Sequence, residues 1–179
     1  SSVVQQKVLQ KEATMGFCLV SEPHPRLHYE HLFREHFGFF CGPRHRLFGR
    51  RGLSLSVLRH EAFVSFKTDQ LSDALRPVAL LREQVGMGGR IVGTSSHLEE
   101  VRRMIIAGLG IGPLPIHVVE RDVREGLLWR LPPYDEPPII DIYLVTNPRM
   151  NHSRAESLFV EALRRRMAEL PLSSRTYAS

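Results

Sequence analysis

The sequence predicts an α/β fold with an apolar core. Short apolar runs bounded by glycine and proline alternate with amphipathic segments whose apolar residues recur at helical spacing. Such alternation is typical of largely parallel sheets with helices on their faces. With 179 residues, 42% of them hydrophobic, the chain is long enough to form one large domain or two small lobes.

The first part of the chain combines one helix with strands that are rich in aromatic residues. Its apolar runs are short and end at turn-forming residues, as buried strands do. Ser54 is placed to cap one or two helical turns. The predicted elements are a helix over 3–12, strands over 15–20, 27–33 and 37–41, a basic turn over 44–52, helical turns over 53–59 and a strand over 62–66.

The second part alternates more regularly between strands and helices. Pro77 implies a kink or an early end in the helix that follows Thr68 and Asp69. The tail from Pro171 onward is predicted to be loose. The predicted elements are this helix, a strand over 90–93, a helix from Ser96, a strand over 111–114, a short helix over 116–124, strands over 127–131 and 139–146, and a last helix from Ser153.

Two capping boxes mark the clearest helix starts. Ser96 is followed three residues later by Glu99, and Ser153 is followed in the same way by Glu156. In such a box each side chain bonds the backbone N–H of the other residue. Glu99 is also spaced for an ion pair with Arg103 one helical turn further on.

The charge distribution does not indicate a nucleic-acid-binding surface. The net charge of +5 suits phosphate contacts, but the arginines are scattered among 19 acidic residues. The densest basic groups, over 44–51 and 164–166, form no stacking platform for single-stranded nucleic acid. A solvated basic face is the simpler interpretation.

Composition points to a cytoplasmic protein. No apolar run approaches the roughly 20 residues needed to span a bilayer, and polar residues interrupt the first 13 positions where a secretory leader would be apolar. Only two cysteines occur, Cys18 and Cys41, whereas small exported scaffolds rely on many paired cysteines. We therefore expect a reduced cytoplasmic setting and no membrane contact.

Catalytic machinery is not visible in the sequence. There is no nucleophile elbow, phosphate-binding loop, zinc-binding HExxH element or dinucleotide fingerprint. Four histidines, at positions 24, 28, 31 and 36, lie on a turn and on strands without a convincing partner set for a metal. We predict no metal, no cofactor and no enzymatic activity.

Several segments of the chain together resemble a known regulatory domain. Between residues 101 and 147 the sequence reads VRRMIIAGLGIGPLP, then EGLLWRLPPYDEPP, then IDIYLVTNPR, and Ser153, Ala155, Glu156 and Phe159 follow. In this order they are similar to the effector-binding domain of LysR-type transcriptional regulators. Upstream, EATMGFCLV resembles a strand of that domain, LFREHFGFFCGPRHRLFGR its hairpin and basic turn, and LSLSVLRHEAFVSF its approach to the hinge, so nearly the whole chain is covered.

The resemblance implies a two-lobed fold of the periplasmic-binding-protein-like type 2 class. The first lobe would comprise 1–62 and 143–170, and the second lobe would comprise 67–140. Hinge crossovers are expected at 63–66 and 141–145, and a loose tail at 171–179. Such domains begin with a strand, a helix and a second strand that this sequence does not include, so the first lobe is expected to be truncated and the usual dimer is in doubt.

The resemblance also implies allosteric sensing. A bacterial regulator of this kind binds a small effector, often an anion or a carboxylate, in a cleft between its lobes. The effector then modulates DNA binding by the full-length homo-oligomer, and the DNA contacts belong to an N-terminal domain outside this sequence. The alternative function is a solute-binding protein of a transport system, which shares the two-lobed design.

Eight residues are candidates for effector binding. The family places ligand contacts at the helix start after Gly93, and the N-terminus of a helix carries about half a positive charge that suits an anion. The end of the strand over 37–41 and the first crossover are further positions implied by the resemblance. The candidates are Thr94, Ser95, Ser96, Cys41, Gly42, Ser65, Lys67 and Thr68.

Structural alternatives stand beside three of these candidates. Capping of its helix explains Ser96 without a ligand. Cys41 is either a ligand contact, which would indicate a less polar effector, or an inert core thiol. Lys67 is either a partner for a carboxylate or, more simply, a solvated surface lysine.

Overall fold

The computed structural model describes residues 2–87 and 89–177 and divides into two compact units. The first unit contains residues 2–34 and Asp141–Tyr177, and the second contains Glu35–Ile140. The chain passes from one unit to the other within strand β2 (His28–Cys41) and returns within strand β7 (Ile139–Thr146). None of the helices in the described residues is long and apolar enough to cross a membrane.

The first unit is a small antiparallel sheet with a helix on each face. Strand β7 lies between β1 and β2 in the sheet. The two faces have separate apolar clusters, one around Val8 and Val145 and the other around Leu144 and Val160. Its elements are α1 (Ser2–Leu9), β1 (Met15–Leu19), the start of β2, the end of β7, α5 (Arg154–Glu169), a 3-10 helix (Leu172–Arg175) and β8 (Thr176–Tyr177).

The second unit is built around a parallel strand pair and two antiparallel pairs. Strands β3 and β4 are parallel, whereas β5 and β6 each pair antiparallel with β2. The Phe39 and Phe63 rings meet edge to face at 5.7 Å and are fully buried. Its elements are a 3-10 helix (Leu55–Leu58), β3 (Phe63–Phe66), α2 (Arg76–Val85), β4 (Ile91–Ser95), α3 (Leu98–Ile106), β5 (Gly112–Pro115), α4 (Glu120–Arg124) and β6 (Trp129–Leu131).

Most elements predicted from periodicity are confirmed, but the strands are not largely parallel. The pairs β1–β7, β2–β5 and β2–β6 are all antiparallel. The two strands predicted over 27–33 and 37–41 form the single 14-residue strand β2. No glycine or proline interrupts 34–37, so the backbone has no reason to turn there.

The point at which the chain first changes unit also differs from the prediction. It lies between Arg34 and Glu35, not at Phe63–Phe66, which belongs wholly to the second unit as strand β3. The return lies between Ile140 and Asp141, at the start of the predicted 141–145 crossover. Because β2 is uninterrupted, the crossing occurs inside a strand and carries no turn residues that would mark it in the sequence.

Two further expectations about helices and the tail are wrong. Helix α2 begins at Arg76 and not after Asp69, so Pro77 lies in its first turn, where a missing backbone N–H is harmless. The tail is ordered through Tyr177, since β8 pairs with β2 and the Arg175 guanidinium donates hydrogen bonds to the carbonyls of His31, at 2.9 Å, and Leu32. The last two predicted tail residues, 178 and 179, lie outside the described residues.

Candidate functional site

The carboxyl ends of β3 and β4 lie side by side in the second unit. Ser65 is opposite Thr94 in the parallel register, Phe66 is opposite Ser95, and the Lys67 backbone N–H donates to the Ser95 carbonyl at 3.0 Å. Ligands of open α/β sheets bind at the carboxyl ends of parallel strands. The segments 65–68 and 94–96, which contain six of the eight predicted residues, therefore share one sheet edge of the kind that binds ligands.

Four of these six residues have side chains free to meet a ligand. Thr94, Ser96 and Lys67 are exposed, and Thr68 is half-buried. None of the four side chains takes part in a hydrogen bond or ion pair with another of the residues that the structure describes. Their hydroxyl and ammonium groups are therefore available to hydrogen-bond a ligand.

The hydroxyls of Ser65 and Ser95 instead form hydrogen bonds within the chain. Ser65 is 1% exposed, and its hydroxyl donates to the Phe66 carbonyl at 2.9 Å. Ser95 is 6% exposed; its Oγ accepts from the His97 N–H at 3.0 Å and donates to the Glu100 carboxylate. We assign these two hydroxyls to shaping the edge, not to direct ligand contact.

The start of helix α3 differs from the predicted capping box between Ser96 and Glu99. The helix begins at Leu98, and His97 occupies the cap position with an extended backbone and no capping side chain. Ser95 takes the place of Ser96 in the local contacts, since its Oγ accepts from the His97 N–H and donates to the Glu100 carboxylate, and the Ser96 hydroxyl is left unused. The Ser153–Glu156 box of α5 is confirmed.

Two acidic side chains already occupy the first turn of α3. Glu99 and Glu100 both lie there, so the helix dipole is partly balanced before any ligand arrives. Glu99 also pairs with Arg103 at 2.9 Å, which confirms the predicted ion pair. The positive charge most available to an anion at this edge is therefore the exposed ammonium of Lys67.

A buried ion pair fixes the loop that carries Lys67 and Thr68. Asp69 is fully buried, and its carboxylate accepts from Arg82 of α2 at 2.8 Å, while Arg82 also donates to the Asp69 carbonyl at 3.2 Å. Burial raises the pKa of Asp69 to about 6, and Arg82 acts in the opposite direction. Sequence reasoning missed this pair because nothing local marks an arginine 13 residues away as its partner.

The structure separates Cys41 and Gly42 from the other candidates. Cys41 is the last residue of β2, and Gly42 follows it. Because β2 runs antiparallel to β5, both residues lie level with the first residues of β3 and β5 at the opposite edge. Cys41 is fully buried, and burial together with Glu61 raises its thiol pKa to about 12. A Cβ on Gly42 would lie 2.4 Å from the Ile105 carbonyl oxygen. These facts favour the core-thiol alternative for Cys41 and a packing role for Gly42.

Metal-binding side chains do not gather in the described part of the chain. Across residues 2–87 and 89–177, no group of three or more His, Cys, Asp or Glu side chains is arranged to hold a metal ion. The β3–β4 edge offers hydroxyls, one ammonium group and backbone N–H groups, beside the Glu100 carboxylate that accepts from Ser95. Such groups bind a small polar or anionic molecule by hydrogen bonds.

Two compact α/β units joined by two crossing strands, with this edge in the second unit, define a periplasmic-binding-protein-like type 2 fold. Residues 1–168 match the family model described as the LysR substrate binding domain. The chain belongs to this family. The assignment favours a regulatory domain over the transport alternative.

Solved structures agree with this fold. The apo regulatory domain of HypT from Salmonella typhimurium is similar over 94% of this chain and 79% of that chain, with 16% identity and a TM-score of 0.73. The effector-binding domain of QuiR, in complex with shikimate, is similar over 94% and 78%, with 15% identity and a TM-score of 0.74. The regulatory domain of CcmR from Synechocystis PCC6803, in complex with 2-PG, is similar over 94% and 80%, with 20% identity and a TM-score of 0.70. No curated protein matches the sequence.

Proposed function

We propose that this chain senses a small anionic effector, such as a carboxylate, at the carboxyl edge of β3 and β4. The observation that carries the proposal is the juxtaposition of segments 65–68 and 94–96 by the parallel register. It brings the free hydroxyls of Thr94, Ser96 and Thr68 to the same edge as the exposed ammonium of Lys67. Hydroxyl and ammonium donors suit the oxygens of a carboxylate.

Binding at this edge would act through the full-length regulator. An effector that binds one conformation more tightly than another shifts the population toward it, and the coupling to DNA affinity is reciprocal. We infer that the complete protein is a cytoplasmic homo-oligomer whose DNA contacts lie in a separate domain. We also infer that the chain is not an enzyme, since the family model that it matches describes a binding domain. Related domains support the effector class, since those of QuiR and CcmR are in complex with shikimate and 2-PG.

Isothermal titration calorimetry with shikimate and a panel of small carboxylates tests the proposal. The variant Lys67→Gln removes the ammonium group, and we expect a roughly fivefold loss of affinity for carboxylates, as for an exposed charge pair. Thr94→Val removes one hydroxyl at nearly constant volume and should weaken binding by about the same factor.

Lys7→Gln is the matched control, since Lys7 is also exposed but lies on α1 of the first unit. It changes the net charge equally and should leave the affinity unchanged. Equal losses in Lys67→Gln and Lys7→Gln would show that only net charge matters. A folded wild-type chain that binds none of the carboxylates would contradict the proposal itself.

A further inference from the structure

The second unit has a pocket of about 330 Å³ that is lined by none of the β3–β4 edge residues. Its walls come from three parts of the chain: the basic segment 44–52 after β2, which we call the basic loop, helix α4, and strand β6 with the loop that follows it. Its lining residues include Arg50, Arg51, Val123, Trp129, Arg130 and Tyr134. The volume lies at the lower end of the range for small-molecule sites.

The pocket is held together by contacts between the basic loop and β6. The Trp129 indole N–H donates to the Arg50 carbonyl at 2.8 Å, although the two residues are 79 positions apart. The Phe48 and Trp129 rings lie 5.7 Å apart at an angle of 51°. These two contacts hold the backbone of the loop at Phe48 and Arg50 against Trp129.

The charge of the pocket is uncompensated. No acidic side chain of the described residues forms an ion pair with Arg50, Arg51 or Arg130. The Nε of Arg130 is buried without a hydrogen-bond partner, and burial lowers the pKa of this guanidinium. Asp135 and Glu136 follow Tyr134 in the chain but do not line the pocket. Three arginines thus contribute to a pocket whose exposed surface is mostly apolar, with Val123, Trp129 and Tyr134 among its walls.

We propose that this pocket is a second small-molecule site, for a monoanion with an apolar body, such as a cyclic or aromatic carboxylate. Guanidinium groups bind carboxylates through paired N–H donors, and the Trp129 and Tyr134 rings offer apolar surface to the rest of the ligand. The site is distinct from the β3–β4 edge, because the two share no lining residue. The domain would then bind a second small molecule in addition to the effector proposed for the β3–β4 edge.

The single tryptophan of the chain provides a direct test, because Trp129 lines this pocket. Cyclohexanecarboxylate is a suitable probe, since it carries an apolar ring and a carboxylate but does not absorb where tryptophan is excited. Titration into the 179-residue chain should change Trp129 emission saturably. Cyclohexylmethanol, which lacks the charge, and inorganic phosphate, which lacks the ring, should each give a weaker response or none.

The double variant Arg50→Gln with Arg51→Gln should weaken binding of cyclohexanecarboxylate by about tenfold. Arg44→Gln with Arg124→Gln is the matched control, because both arginines are exposed and neither lines the pocket. Lys67→Gln should also leave the titration unchanged, which separates this site from the edge site.

Four results would overturn the proposal. They are an absent or unsaturable wild-type response, equal affinity for cyclohexylmethanol, equal affinity for phosphate, and equal losses in the two double variants. None of them bears on the β3–β4 edge, which calorimetry with Lys67→Gln tests independently.

Discussion

The buried Asp69–Arg82 pair leads to a prediction about stability and pH. Asp69 is fully buried and Arg82 is 5% exposed, so both groups give up most of their hydration in the folded chain. One carboxylate oxygen of Asp69, Oδ1, is buried without a hydrogen-bond partner among the described residues. Burial consequently outweighs Arg82 and raises the pKa of Asp69 from 3.8 to about 6. The Asp69→Asn variant removes this titration.

The direction of the effect follows from proton linkage. A carboxyl with a raised pKa binds protons more tightly in the folded state than in the unfolded state. Its contribution to stability is therefore fully present below the unfolded pKa, about 4, and is lost as the pH rises through about 6. Each pKa unit corresponds to about 1.36 kcal/mol, so the loss is on the order of 3 kcal/mol.

Urea unfolding of wild-type and Asp69→Asn chains between about pH 4 and about pH 7 measures this contribution. The wild-type free energy of unfolding should fall relative to that of the variant across this range. The exposed residue Asp135 provides the control, and Asp135→Asn should not change the pH dependence. A wild-type advantage that grows with pH would refute the reasoning, because it would mean that Arg82 outweighs burial and lowers the pKa of Asp69.

Two further predictions test the packing of α3. Gly42→Ala should destabilise the chain by about 1–3 kcal/mol, because its Cβ would lie 2.4 Å from the Ile105 carbonyl oxygen. The control is Gly89→Ala, which should show no such steric loss in the same urea experiment because the space around Gly89 is open. Ser95→Ala should lower the unfolding free energy by about 1 kcal/mol, because Oγ accepts the His97 N–H, whereas Ser96→Ala should leave it unchanged. Equal losses within either pair would contradict the assigned contacts.

Local signals were sufficient to predict most elements of the fold. The strand over 139–146 and the helix beginning after Ser153 are as the sequence indicates. In both cases the information lies within a few neighbouring residues: a continuous apolar run, or a serine and a glutamate at capping distance. The Glu99–Arg103 pair was predictable for the same reason.

Interactions between distant segments could not be predicted in this way. The Asp69–Arg82 pair depends on how α2 packs against the strand before it. The arginine pocket depends on Trp129 reaching the basic loop from 79 residues away. The basic segment 44–51 gave no sign of aromatic partners beyond its own residues, because those partners are supplied by β6 and its following loop.

The candidate site could be predicted only in part, because the sequence does not reveal the direction in which neighbouring strands run. Residues 65–68 and 94–96 contain the carboxyl ends of β3 and β4, which run parallel, so these strand ends meet at one edge whatever else the sheet contains. Cys41 and Gly42 also lie at the carboxyl end of a strand, and the sequence alone does not distinguish this strand end from the other two. Because β2 runs antiparallel to β5, its carboxyl end reaches the opposite edge. The pairing between strands decides at which edge of the sheet each strand ends. The residue pattern of a single strand carries no information about that pairing.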